Sequence, residues 1–67
     1  MVEIMVNGAP RQVSEGTTIA VLLAELGLEP RQVAVEINLE LAPRGRHAER
    51  VLNAGDRLEV VTLVGGG

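Results

Sequence analysis

Cysteine, phenylalanine, tyrosine and tryptophan are all absent from the 67 residues, and no other feature constrains the fold as much. A chain this short gains only about 3–5 kcal/mol from a single core. Small domains commonly make up the shortfall with disulfides or structural zinc. Without cysteine, the first route and nearly all of the second are closed, so the core must come from the aliphatic side chains that dominate the 46% apolar content. One domain fits in this length; a nucleotide-cofactor fold or a two-domain cleft does not. Nine acidic residues against six arginines leave a net charge of −3. That is the wrong sign for a nucleic-acid binder, and there is no Phe, Tyr or Trp ring on which a base could stack. Lysine is absent, which excludes Schiff-base and P-loop chemistry. The amino end has no basic segment leading into a long apolar run, and nowhere are about 18 apolar residues consecutive, so the expected location is cytoplasmic.

The hydropathy pattern divides the chain into short elements. Val2, Ile4 and Val6 alternate with Glu3, Met5 and Asn7, the period of a half-buried strand, and run into Asn7-Gly8, a pair suited to a type I′ hairpin. A return strand over 10–14 follows. Pro10 lacks an N–H and places that strand at a sheet edge. After Glu15-Gly16, Thr17 is the expected N-cap of a helix of about nine residues carrying Ile19, Leu22, Leu23 and Leu26 on one face. Gly27, Leu28 and Pro30 form a strong stop signal, with Gly27 suited to the left-handed position after the helix. Val33, Val35, Ile37, Leu39 and Leu41 then alternate with polar partners, as one strand or as two pieces bent near Asn38. Residues 43–53 are irregular, Ala54-Gly55-Asp56 is a turn, and a last strand covers 57–64. In that strand Val60, Val61, Leu63 and Val64 put apolar groups on both faces, as in a central strand or one with a docking face.

The element order is ββαββ. With one helix and four or five short strands, a single core forms only if the helix lies across one face of a mixed sheet. The expected fold is α+β, a β-grasp or ubiquitin-like roll over residues 1–64, with a flexible glycine tail at 65–67.

Enzyme chemistry finds little support along this chain. The lone His47 is expected in a surface loop, far from Ser14, so no Ser-His-Asp device can form. The eight glutamates are spread over positions expected to face solvent, with no metal-ligand spacing. No phosphate-binding glycine motif is present, so the chain is expected to bind no cofactor of its own. The unusual feature is Gly65-Gly66-Gly67 directly after an apolar strand. Three residues without β-carbons form a thin arm of roughly 10 Å that can thread a narrow active site. The reactive group would be the α-carboxylate of Gly67. Without a thiol side chain, any sulfur the protein carries has to sit on that terminus as a thiocarboxylate.

Across nearly its whole length the sequence resembles the ThiS/MoaD family of ubiquitin-like sulfur carriers. The likeness lies in V-E-I-M-V-N-G, I-A-V-L-L-A-E-L-G, V-A-V-E-I-N, A-P-R and, above all, G-D-R-L-E-V-V-T-L-V-G-G-G. Length and the V-A-V-E-I-N and A-P-R segments favour the ThiS branch. An aromatic residue often found after the P-R pair is replaced here by His47. The resemblance implies a carrier for thiamine thiazole synthesis that is itself not an enzyme. A ThiF-like adenylating enzyme would use ATP and magnesium to activate Gly67, a cysteine desulfurase system would supply sulfur, and a ThiG-like thiazole synthase would receive it. Gly66 would be kept small by the partner's channel, and Gly65 would give reach.

The body would then dock. Met5, Val61 and Leu63, with Val64 and Gly65, are the expected partner-binding positions, in opposite phase to Ile4 and Val60. Arg44, Arg46, Arg50 and Arg57 could meet acidic partner surfaces. The alternatives are a MoaD-like carrier for molybdopterin synthesis and a β-grasp interaction module whose glycine tail is incidental.

Overall fold

A computed structural model describes residues 1–63. Val64, Gly65, Gly66 and Gly67, and with them the whole of the expected tail, lie outside the described residues. Strand β1 (Val2–Val6) turns through Asn7 and Gly8, both at positive φ (52° and 82°), into β2 (Ala9–Val13). Two successive positive φ values are what the type I′ turn requires. Helix α1 (Ile19–Glu25) follows, then β3 (Val33–Ile37), β4 (Glu40–Leu41) and β5 (Arg57–Thr62). The sheet order is β2-β1-β5-β3-β4; β1 and β5 run parallel and the other pairs antiparallel. Pro10 therefore sits on an edge strand, and the doubly apolar last strand is central, as the sequence predicts.

The helix begins one residue later than its sequence suggests. Thr18, not Thr17, is the N-cap, its hydroxyl accepting from the Val21 N–H. Thr17 is buried, and its carbonyl accepts from the Leu52 N–H at 2.8 Å. The free N–H groups of Ile19 and Ala20 donate to the carbonyls of Arg50 and His47, so the irregular 43–53 segment itself closes the helix start. The C-terminus ends in a Schellman motif, with Leu28 N–H donating to Leu23 O, Gly27 N–H to Ala24 O, and Gly27 at φ 73°. At seven residues the helix is shorter than its apolar spacing suggests, because Leu26 caps it rather than continuing it.

Ile19, Leu22 and Leu23 from the helix pack on Ile4, Val13, Val33, Val35, Ile37 and Leu58 from the sheet, with Leu52 from the irregular segment. The core is wholly aliphatic. Two expectations fail here. Of the two readings of 33–41, the two-piece one holds, with the break at Asn38 as expected, but the core positions assigned to Leu39 and Leu41 do not: Asn38 and Leu39 both have positive φ (52° and 71°) and reverse the chain into a second tight hairpin. Reversal ends the alternation at Ile37, so Leu39 (91% exposed) and Leu41 (68% exposed) are not core residues. His47, expected on the surface, is 5% exposed.

Candidate functional site

The helix covers one sheet face, so a functional surface has to be built on the other face and on the end of β5 that leads toward the carboxyl terminus. Strand phase decides which side chains reach it. Leu58 and Val60 turn toward the helix, and Arg57, Glu59 and Val61 turn away. Register carries that face across the neighbouring strands: Val61 lies opposite Ala34, Glu59 opposite Glu36, and Glu36 opposite Leu41. Val61 is 57% and Leu63 51% exposed, so both project in the phase expected from the sequence.

Leu63 extends beyond the end of β5 but remains fixed, its N–H donating to Gln32 O at 2.7 Å. It lines a concavity with Ala34, Leu41 and Pro43, and His47 closes the inner wall. The apolar end of this face is thus made by Val61 and Leu63 together with residues from the β3–β4 hairpin. Ala34, Leu41 and Pro43 are not apparent as members of it from the sequence, since the alternation places Leu41 in the core. The Asn-Leu pair at 38–39 was the available signal for the reversal, weaker than Asn-Gly because leucine resists positive φ.

Met5 stands apart from this patch. It shares the outer face, but its partner in the parallel pairing is Arg57, four residues before Val61, or about 13 Å along the strand. Glu36 and Glu59 lie between them, and both line a second depression with Met5, Asn38, Leu39 and Arg57. The expected surface is therefore divided, apolar near the terminus and mixed at the far end. Val64, Gly65, Gly66 and Gly67, the remaining expected site positions, lie outside the described residues.

Several of the other polar groups are used internally. Asp56, buried, accepts from Asn53 N–H at 2.8 Å and from Asn38 Nδ2 at 3.1 Å, and pairs with Arg50 at 3.8 Å. Arg50 also donates to Val51 O, and Arg46 pairs with Glu49 at 3.4 Å. These two arginines thus have partners inside the chain. His47 Nε2 lies 2.9 Å from Ala42 O, while its buried Nδ1 has no partner among the described residues. The ring joins the 43–53 segment to the end of the β3–β4 hairpin and points to no nucleophile. No group of three metal-ligating side chains is found among the described residues, and no described helix is long and apolar enough to cross a membrane.

A sequence model described as the ThiS family matches residues 4–67. The chain is 41% identical over 64 residues to the sulfur carrier protein ThiS of Thermus thermophilus, covering 96% of this chain and 98% of that one. It is 45% identical over 65 residues to a thiazole synthase of Paramagnetospirillum magneticum, covering 97% of this chain but spanning only 20% of that enzyme's length. Among solved structures, the crystal structure of the thiamine biosynthesis protein ThiS from Geobacter metallireducens superposes with a TM-score of 0.83 at 30% identity, covering 98% of this chain and all of that one.

Proposed function

The chain belongs to the ThiS family, and from that premise we propose that it serves thiamine biosynthesis as a protein-bound sulfur carrier, a co-substrate of other enzymes. The observation that carries this reading is a family match running through Gly67, joined to a β-grasp body whose central strand leads toward the terminal glycines.

In the proposed cycle a ThiF-like enzyme binds ATP and magnesium. A carboxylate oxygen of Gly67 attacks the α-phosphorus of ATP and pyrophosphate leaves, giving an acyl adenylate. The terminal sulfur of a persulfide supplied by a cysteine desulfurase system then attacks the carbonyl carbon and the bond to AMP breaks, giving an acyl disulfide; a second thiol takes the outer sulfur's carrier away as a disulfide and leaves the thiocarboxylate. One terminal oxygen departs with AMP and sulfur takes its place. The thiocarboxylate next gives its sulfur to a thiazole synthase. The last step is supported by the carrier-like segment within the P. magneticum thiazole synthase. Gly66 carries no β-carbon that could clash beside the reacting carbonyl, and Gly65 adds reach. The chain itself binds no cofactor. Val61 and Leu63, with Val64 and Gly65, lie against the partner, and Met5 touches it at a separate point.

Intact mass after incubation with an adenylating enzyme, ATP, magnesium and a sulfur source tests the proposal. The expected gain is about 16 Da, which methionine oxidation at Met1 or Met5 also produces. The gain should therefore be lost on deletion of Gly67 and should react with a thiol-directed alkylating agent. No gain with competent partners would leave the tail incidental and favour an interaction module.

A further inference from the structure

Asparagine followed by glycine is the pair in which a side-chain amide closes most readily on the backbone, because glycine leaves the next main-chain nitrogen unshielded. Asn7 and Gly8 are both exposed, and a β-carbon added at Gly8 would meet nothing within 4 Å, so neither burial nor packing protects the pair. Hydrogen bonds to β5 hold it instead. Asn7 Oδ1 accepts from Val60 N–H at 2.7 Å, Nδ2 donates to Val60 O at 3.1 Å, and the main-chain N–H donates to Leu58 O at 2.9 Å. The amide thus reaches across to the central strand, whereas ring closure requires it to fold back over its own backbone toward Gly8.

We propose that Asn7 is a site of spontaneous deamidation, and that its pairing with Val60 is the guard: the reaction proceeds only when that contact opens. The Gly8 nitrogen attacks Cγ of Asn7. The new N–Cγ bond forms, the Cγ–Nδ2 bond breaks, and ammonia leaves with the proton that Gly8 gives up. Water then adds to either carbonyl of the succinimide and opens the ring to aspartate or isoaspartate. Each product disturbs the join between β1 and β5. Aspartate still accepts from Val60 N–H but sets a carboxylate oxygen where Nδ2 met Val60 O, replacing a hydrogen bond with two facing acceptors. Isoaspartate lengthens the main chain of a two-residue turn whose loop length fixes the register. The strand loosened is the one that leads toward the terminal glycines. Asn38 is the internal comparison. It has the same φ of 52°, and its amide is held in the same way, accepting from Arg57 N–H at 3.0 Å and donating to Asp56 Oδ1 at 3.1 Å. Leu39 follows it, however, and its side chain crowds the attacking nitrogen.

The test is peptide mapping by mass spectrometry of the full chain held at mildly alkaline pH, folded and in guanidinium chloride. In denaturant Asn7 should deamidate roughly tenfold faster than Asn38 or Asn53, and Gly8→Ala, read in denaturant where folding plays no part, should remove that lead. In the folded chain Asn7 should react at least about tenfold more slowly than in denaturant, since only the opened fraction reacts. Asn7→Asp, which has the composition of one product, should melt at least about 4 °C below the parent. Equal rates at Asn7 in the folded and denatured chain would overturn the guard, and a lead by Asn38 or Asn53 in denaturant would overturn the site. An Asn7→Asp chain that melts with the parent would overturn the effect on β5.

Discussion

The side-chain amide of Asn7 takes the place of a strand residue against Val60. Its Oδ1 accepts from Val60 N–H at 2.7 Å and its Nδ2 donates to Val60 O at 3.1 Å, across 53 residues of sequence. Main-chain pairing of β1 with β5 stops at Val6 and Leu58, with Asn7 N–H donating to Leu58 O. The amide continues the pairing by one more step, while the same residue supplies the positive φ of the hairpin.

Asn7→Gly keeps the turn and removes both bonds. At about 0.5–1.5 kcal/mol each, the expected loss is about 1–3 kcal/mol, a fall in melting temperature of roughly 4–24 °C in a domain of this size. An unchanged melting temperature would show that water replaces the amide without cost.

Gly27 and Gly45 make a matched pair. An added β-carbon meets nothing within 4 Å at either position, but Gly27 has φ 73° and Gly45 is not left-handed. Gly27→Ala should therefore cost about 1 kcal/mol from backbone conformation alone, and Gly45→Ala should be close to neutral in the same denaturant titration.

Leu39 combines a left-handed φ of 71° with a side chain that contributes no packing to the free protein. Leu39→Gly turns 38–39 into an Asn-Gly hairpin and should raise stability by about 0.5–1 kcal/mol. A decrease would mean that the leucine is packed in solution.

His47 fills a buried slot between the 43–53 segment and Ala42. His47→Ala should cost about 2–4 kcal/mol, because it empties the slot and leaves Ala42 O without its partner. His47→Phe loses the same bond but also removes the unpartnered Nδ1 and keeps the volume, so it should stay within about 1–2 kcal/mol of the parent. Thermal unfolding of the two variants side by side distinguishes a packing role from a surface one.

Docking should be sensitive to position along the outer face. Leu63→Glu, at the apolar end, is expected to weaken partner association at least tenfold with little change in melting temperature, since Leu63 is half exposed and outside the aliphatic core. Met5→Glu, about 13 Å away in the mixed depression, should have a smaller effect. Equal effects would show that the two regions act as one patch.

The sequence by itself determined the features whose causes lie within a few residues. Asn7-Gly8 carries its own turn, Gly27 its own helix stop, and the alternation of Val33, Val35 and Ile37 its own buried face, because backbone sterics and side-chain period act locally. The opposite phases of Val60 and Val61 were readable for the same reason. Tertiary structure decided the rest. Leu39 and Leu41 follow the period of a core strand, but the Asn38–Leu39 reversal carries them out of the core and brings Leu41 beside Leu63. His47 looks like a loop residue until the segment holding it folds over the helix start and gives its carbonyls to Ile19 and Ala20. The opposition of Glu36 and Glu59 exists only once β3 pairs with β5, 23 residues apart at that point in the sequence. Local rules set each element's shape, whereas the neighbours of an element come from burying one aliphatic core, a cooperative choice made by the whole chain.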